Sequence, residues 1–179
     1  MTGTVRPLIA LTALLGTLLS GLTTGAEGVV QEAQSLTQAK VSLPDAIRLA
    51  EQSARGRAVS AAYELGSSSP PYYEIKVLHE AGRKLTRYDL NPNTGKVKGA
   101  SDERIEPLFT HLRPSSVASA RVSLSRAVET AEERAGGKAT AAAIERGTEP
   151  LRYSIAIARL DGTTENVQVN GSDGTVAAD

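Results

Sequence analysis

A stretch of small and apolar residues beginning at Val41 recurs 81 positions later, beginning at Val122. Three matched tripeptides keep their order along the chain: Val41-Ser42-Leu43 with Val122-Ser123-Leu124, Tyr73-Glu74-Ile75 with Tyr153-Ser154-Ile155, and Gly95-Lys96-Val97 with Gly174-Thr175-Val176. Because residues typical of helix, strand and turn recur in one order, the sequence indicates a duplicated unit. We therefore expect one repeat at 41–98 and a second at 122–179, joined by a linker at 99–121.

Each repeat is predicted to contain one helix followed by three strands. Ser42 and Ser123 precede apolar residues at helical spacing, where a serine hydroxyl caps free N–H groups. The pattern then alternates every second residue, as in strands with one buried face. Gly95 and Gly174 lie in closing turns that favour glycine. The predicted fold class is α+β, with two tandem repeats of order α-β-β-β, each a helix packed on a three-stranded antiparallel sheet.

The first 26 residues have the pattern of a secretory signal peptide. Arg6 is followed by a mostly apolar run from Leu8 to Leu22, and small residues precede a cleavage site near Ala26. A spanning helix needs about 20 apolar residues, so this run favours cleavage over retention as an anchor. The alternative is an uncleaved signal peptide, which would be the one contact with a membrane. Residues 27–40 are polar and expected to be flexible.

Composition argues against most kinds of chemistry. The chain has no cysteine, and its basic and acidic residues number 20 each, so disulfides and a nucleic-acid surface are not expected. His79 and His111 lack neighbours at metal-ligand spacing, so neither a metal nor a cofactor is predicted. No nucleophile elbow or phosphate loop occurs. We therefore expect a protein that is not an enzyme. Within the linker, four apolar residues could form a short amphipathic helix: Ile105, Leu108, Phe109 and Leu112.

The repeated motifs resemble the PepSY domain. The resemblance rests on a helix opening V-S-L-x-x-A-[IV], a Tyr-x-Ile strand and a final turn closing G-x-V. Such domains occur in propeptides of thermolysin-like secreted metallopeptidases and in small bacterial envelope proteins. The resemblance implies a helix on an antiparallel sheet, a binding or regulatory role and no catalytic residues. Six residues are assigned structural roles within this pattern: Ser42, Tyr73, Gly95, Ser123, Tyr153 and Gly174.

Together with the signal peptide, the resemblance implies a periplasmic or secreted binding protein that modulates an envelope or secreted peptidase through protein contacts. The candidate partner surface consists of four residues that alternate opposite the core-facing set: Tyr72, Glu74, Lys76 and Leu78. Tyr72 and Leu78 could instead pack under the linker or against the second repeat. The alternative function is a sensor or carrier of a small ligand or peptide, bound in a groove between the repeats and closed by the linker around Phe109. A purely structural envelope protein also stays open.

Overall fold

The computed structural model describes residues 25–66, 69–79, 84–103, 114–145, 147–148 and 150–177. These residues form an α+β fold in which one antiparallel sheet has the strand order β4-β3-β2-β1-β5-β6-β7. The elements, in chain order, are α1 (Ala26–Gln38), α2 (Leu43–Ala54), β1 (Gly56–Glu64), β2 (Tyr72–His79), β3 (Leu85–Leu90), β4 (Val97–Glu103), α3 (Pro114–Ser119), α4 (Leu124–Ala135), β5 (Lys138–Ile144), β6 (Arg152–Ala158) and β7 (Thr164–Asn170).

The prediction of two separate three-stranded sheets is wrong, because β1 and β5 pair with each other. Ala61 lies opposite Ala142, and the flanking pairs are Ser60 with Ala143 and Ala62 with Ala141. Since Ala61 and Ala142 are 81 positions apart, the pairing is symmetric about them. Two small sheets would each leave the backbone groups of a first strand unpaired, and joining those edges satisfies them.

The sheet also has a strand that the sequence did not predict. Residues 99–103, expected to open the linker, belong to the edge strand β4, which pairs with β3 from Leu85–Glu103 to Leu90–Val97. The predicted amphipathic helix at 105–112 lies outside the described residues. The described end of the expected linker contains the short helix α3, whose Val117 is buried in the core.

Helices α2 and α4 begin as predicted and end by two different routes. The hydroxyl of Ser42 accepts a hydrogen bond from the Asp45 amide at 3.2 Å, and that of Ser123 accepts one from the Arg126 amide at 3.2 Å. The left-handed residue that ends α4 is Gly136, with φ 68°. Helix α2 instead ends at Arg55, with φ 50°, one residue before Gly56. A Cβ at Gly56 would collide with the backbone of β2, which explains the glycine there.

The two helices lie side by side on one face of the sheet over a single core. Large residues from both halves are fully buried in one cluster, including Ile47, Ile75, Val128 and Ile155. Because β1 and β5 are antiparallel, the helices leading into them run antiparallel as well. Arg48 on α2 pairs with Glu129 on α4 at 2.7 Å, and these residues are also 81 positions apart.

Residues 27–40, expected to be flexible, instead contain most of helix α1. Its buried residues Val29, Ala33 and Leu36 follow helical spacing, and this apolar stripe gives the helix a surface to pack. Val29 and Ala33 form a small cluster with Ala158 of β6, separate from the main core. Leu36 joins the main core. Helix α1 therefore extends across the ends of β5 and β6 towards β1. None of the helices in the described part of the chain is long and apolar enough to span a bilayer.

Candidate partner surface

The face of β1–β4 that points away from α2 carries a set of charged side chains. In β2, Tyr73, Ile75 and Val77 are fully buried beneath the helix, so the alternating residues Glu74 and Lys76 lie on the other face. The cross-strand register places further residues beside them. We call this set the charged face, and its members are Glu64, Tyr72, Glu74, Lys76, Leu78, Arg87, Asp89 and Glu103.

Four ion pairs connect the centre of the charged face. Lys76 lies 2.9 Å from Glu103 and 3.7 Å from Glu74, while Arg87 lies 3.1 Å from Glu74 and 2.9 Å from Asp89. Glu74 therefore contacts both cations, and its side chain is the least exposed of the five, at 15%. Partly exposed pairs of this kind contribute about 0–1 kcal/mol each to folding. A connected network and a bidentate contact, such as that of Arg87 with Asp89, are the cases in which such pairs contribute more.

The charged face has an excess of negative charge. Its carboxylates are Glu64, Glu74, Asp89 and Glu103, and its cations are Lys76 and Arg87, which leaves a difference of two. The hydrogen bond to Asp89 raises the pKa of Arg87, so this cation stays charged. Burial raises the pKa of Glu64, and the nearby Glu74 carboxylate raises it further. Burial likewise raises the pKa of the Tyr72 hydroxyl.

All four residues of the predicted partner surface lie on the charged face. Tyr72 pairs with Glu64 in the sheet register, and Leu78 pairs with Leu85. Leu78 is half-buried and packs against the main core, so its apolar surface is largely used within the fold. Four further members were missed by the sequence analysis: Glu64, Arg87, Asp89 and Glu103. The two-residue alternation in β1 and β3 could have indicated the first three, whereas Glu103 lay in the expected linker.

The residues assigned structural roles hold the strands to the helices. Tyr73 donates its hydroxyl hydrogen to the Val41 carbonyl at 2.8 Å, just before α2 begins. Tyr153 makes the same contact with the Val122 carbonyl at 2.6 Å, just before α4. Gly95 and Gly174 have φ values of 68° and 77°, a conformation that favours glycine. Ser42 and Ser123 are the two N-caps described above.

The corresponding face of β5–β7 differs in chemistry. Its central residues are small or uncharged: Ala141, Ala143, Ser154, Ala156, Asn166 and Gln168. The Ser154 hydroxyl donates a hydrogen bond to the Asn166 amide oxygen at 2.8 Å. The two halves of this sheet face therefore present different surfaces to a partner, and charge is concentrated on the first half.

The seam between the halves is closed by packing. Strands β1 and β5 are hydrogen-bonded across it, and α2 contacts α4 above it. The alternative function placed a ligand groove between the repeats, closed around Phe109, and Phe109 lies outside the described residues.

The described histidine makes a cross-strand contact. His79 Nε2 lies 2.9 Å from the Thr86 hydroxyl, which donates to Asp102 at 3.2 Å. His111 lies outside the described residues. In the part of the chain that the structure describes, no group of three or more metal-ligating side chains is found.

A comparison with protein families finds one match, which lies in the first half of the chain. Residues 40–100 match the family described as "Peptidase propeptide and YPEB domain", named PepSY. A search of curated proteins finds no match. Among solved structures, the chain is similar to a "putative lipoprotein" from Clostridium difficile 630, with 18% identity, a TM-score of 0.46, and coverage of 79% of this chain and 93% of the other. At that score the two chains need not share a fold. The likeness to the PepSY family therefore covers residues 40–100, which include α2 and β1 to β3.

Proposed function

We propose that this chain is an exported, non-catalytic protein that modulates an envelope or secreted peptidase by binding it through the charged face. The family description, a peptidase propeptide domain, supports a peptidase as the partner. The matched residues 40–100 include every member of the charged face except Glu103. The surface assigned to the partner therefore belongs to the part of the chain with the family match.

One observation carries the assignment of the surface. The helix-covered face of β1–β3 is largely apolar and buried, while the other face holds a connected network of ion pairs. Charged groups at an interface steer association and select among partners. Since carboxylates outnumber cations on the charged face, the complementary surface of the peptidase is basic.

The proposal includes export and an internal duplication. Removal of the signal peptide near Ala26 leaves a chain that starts within helix α1. Two contacts at equivalent positions support residues 122–179 as a diverged copy of 41–98. Glu51 accepts a hydrogen bond from the Ala58 amide at 2.9 Å, and Glu132 accepts one from the Ala139 amide at 3.0 Å. Both acceptor carboxylates hold the amide beside a strand irregularity, at Ala58/Ser60 and at Ala139/Ala141.

Affinity capture from an envelope extract tests the proposal. The baits are residues 27–179, the same chain with Asp89→Asn and Glu103→Gln, and a matched control with Glu133→Gln on the exposed side of α4. We expect the unchanged chain and the α4 control to retain one peptidase, whose activity changes when the purified chain is added. We expect the Asp89/Glu103 variant to lose it, because it lacks two of the carboxylates that meet the basic partner. An eluate without a peptidase contradicts the function, and equal capture by all three baits contradicts the surface.

A further inference from the structure

Two acidic side chains meet where helix α1 reaches the sheet. The hydroxyl of Ser35 on α1 is hydrogen-bonded to the hydroxyl of Tyr63 on β1. Glu32 lies one helical turn before Ser35 and Leu36, and residues three and four apart share a helix face. Glu64 directly follows Tyr63. The contact between α1 and β1 therefore brings the Glu32 and Glu64 carboxyl groups into one neighbourhood.

Among the described residues, no cation lowers the pKa of Glu32, whereas Arg87 lowers that of Glu64 and so offsets part of its rise. Two causes together raise the pKa of Glu32 from 4.5 to about 7: burial, which is the larger, and the nearby Glu64 carboxylate. Other ionisable groups on the elements around α1 are Arg57 and Tyr63 on β1, Lys138 on β5, Arg152 and Tyr153 on β6, and Arg159 and Asp161 after β6. Lys138 pairs with Glu132 at 3.3 Å and Arg159 pairs with Glu165, so both cations are engaged elsewhere. Asp161 hydrogen-bonds Thr163 within its own turn.

We propose that helix α1 docks on the sheet in a proton-dependent manner, with a neutral Glu32 holding it in place and an ionised Glu32, repelled by Glu64, releasing it. The remaining contacts of α1 are the Ser35–Tyr63 hydrogen bond and the burial of Val29, Ala33 and Leu36. Because these contacts are few, the free energy that holds α1 on the sheet is small. A new charge at the contact changes that free energy by a large fraction.

The sign of the pH dependence follows from the direction of the shift. Docked Glu32 binds its proton more tightly than a solvated glutamate, whose ordinary pKa is 4.5. The docked state therefore holds the extra proton between pH 4.5 and about 7, and docking weakens as the pH rises through this window. One linked proton changes the equilibrium constant for docking by up to about tenfold per pH unit. Since the Glu32 side chain is partly solvated, we expect the docking constant to change by about tenfold in total across the window.

Release of α1 changes the border of the charged face. Glu64 belongs to that face, and its carboxylate is also the group that repels an ionised Glu32. Undocking exposes the apolar stripe of α1 and the side of Ala158 that Val29 and Ala33 cover. The inference does not depend on the proposed peptidase, because it concerns contacts within the chain.

Amide hydrogen exchange of residues 27–179 at pH 5, 6, 7 and 8 tests the inference. After correction for the intrinsic rate, we expect the protection of the α1 amides to fall about tenfold from pH 5 to pH 8, while the amides of β2 keep theirs. Glu32→Gln keeps a neutral side chain at every pH, so its α1 amides should stay protected. The matched control Glu27→Gln, in the first turn of the same helix, should behave like the unchanged chain.

A second variant separates the two causes. Glu64→Gln removes the repulsion and leaves the burial, so the loss of α1 protection should persist with its midpoint at a lower pH. Protection that does not change with pH in the unchanged chain would overturn the inference. A loss in Glu32→Gln equal to that in the unchanged chain would overturn it as well, because Glu32 would then not be the group that titrates.

Discussion

At the scale of single residues, one tyrosine hydroxyl ties the start of α2 to the sheet and a second ties the start of α4. Tyr73 and Tyr153 are almost completely buried, and each donates to the carbonyl just before a helix. Burial raises the pKa of both, that of Tyr153 to about 12, so both hydroxyls stay protonated donors at neutral pH. A buried carbonyl that loses its donor carries a desolvation cost.

Tyr73→Phe and Tyr153→Phe should therefore each lower the free energy of unfolding by about 1 kcal/mol. Urea denaturation followed by circular dichroism measures the change. The control is Tyr88→Phe, a half-buried tyrosine on β3 that packs against the same core and should change stability by less than about 0.5 kcal/mol. Equal losses in all three variants would show that the hydroxyl contacts with Val41 and Val122 do not account for the loss of stability.

At the scale of elements, the junction between α4 and β5 depends on two consecutive glycines for different reasons. Gly136 has φ 68° and open space around the position of a Cβ. Gly137 has ordinary backbone angles, but a Cβ there would lie 2.5 Å from Ile157 Cγ2 and 2.6 Å from the Ala158 carbonyl oxygen. The first glycine supplies a conformation, and the second allows the backbone of β5 to approach β6.

Gly136→Ala should thus cost about 1–2 kcal/mol, the penalty for a left-handed residue with a side chain. Gly137→Ala should cost more, because the backbone of β6 cannot move away as a side chain could. Thermal unfolding of the two variants checks the order. A smaller loss for Gly137→Ala than for Gly136→Ala would contradict the close approach of β5 and β6.

The elements that the sequence predicted are those with a clear period. Helices α2 and α4 have long apolar stripes after a serine cap, and β2 alternates cleanly, which also identified Glu74 and Lys76 as facing away from the core. Helix α1 was missed because its stripe is only Val29, Ala33 and Leu36 among polar residues. Strand β4 was missed because an edge strand can be mostly exposed, and its residues are polar.

At the scale of the whole molecule, the sequence could not show how the two halves join. Alternation determines which residues of β1 are buried, but it does not determine which strand pairs with its outer edge. The pairing of Ala61 with Ala142 depends on contacts between distant parts of the chain, as does the Arg48–Glu129 ion pair. Both follow from a nearly symmetric fit of one half to the other.

Because the sheet and core are continuous across the seam, residues 27–179 should unfold in a single cooperative transition. Urea unfolding followed by far-ultraviolet circular dichroism and by tyrosine fluorescence should give coincident curves with one midpoint. Two separated midpoints would indicate that the two halves unfold as independent domains.

The central claim is that the charged face binds a basic surface of a peptidase, and a dissociation constant tests it most directly. The captured peptidase is titrated with the unchanged chain, with Asp89→Lys plus Glu103→Lys on the charged face, and with Glu133→Lys on α4. Reversing the charge of the two carboxylates should weaken binding tenfold or more, about 1.4 kcal/mol, and raising the salt concentration should weaken binding of the unchanged chain. The α4 variant should bind within about twofold of it. Equal dissociation constants for all three folded chains would contradict the claim.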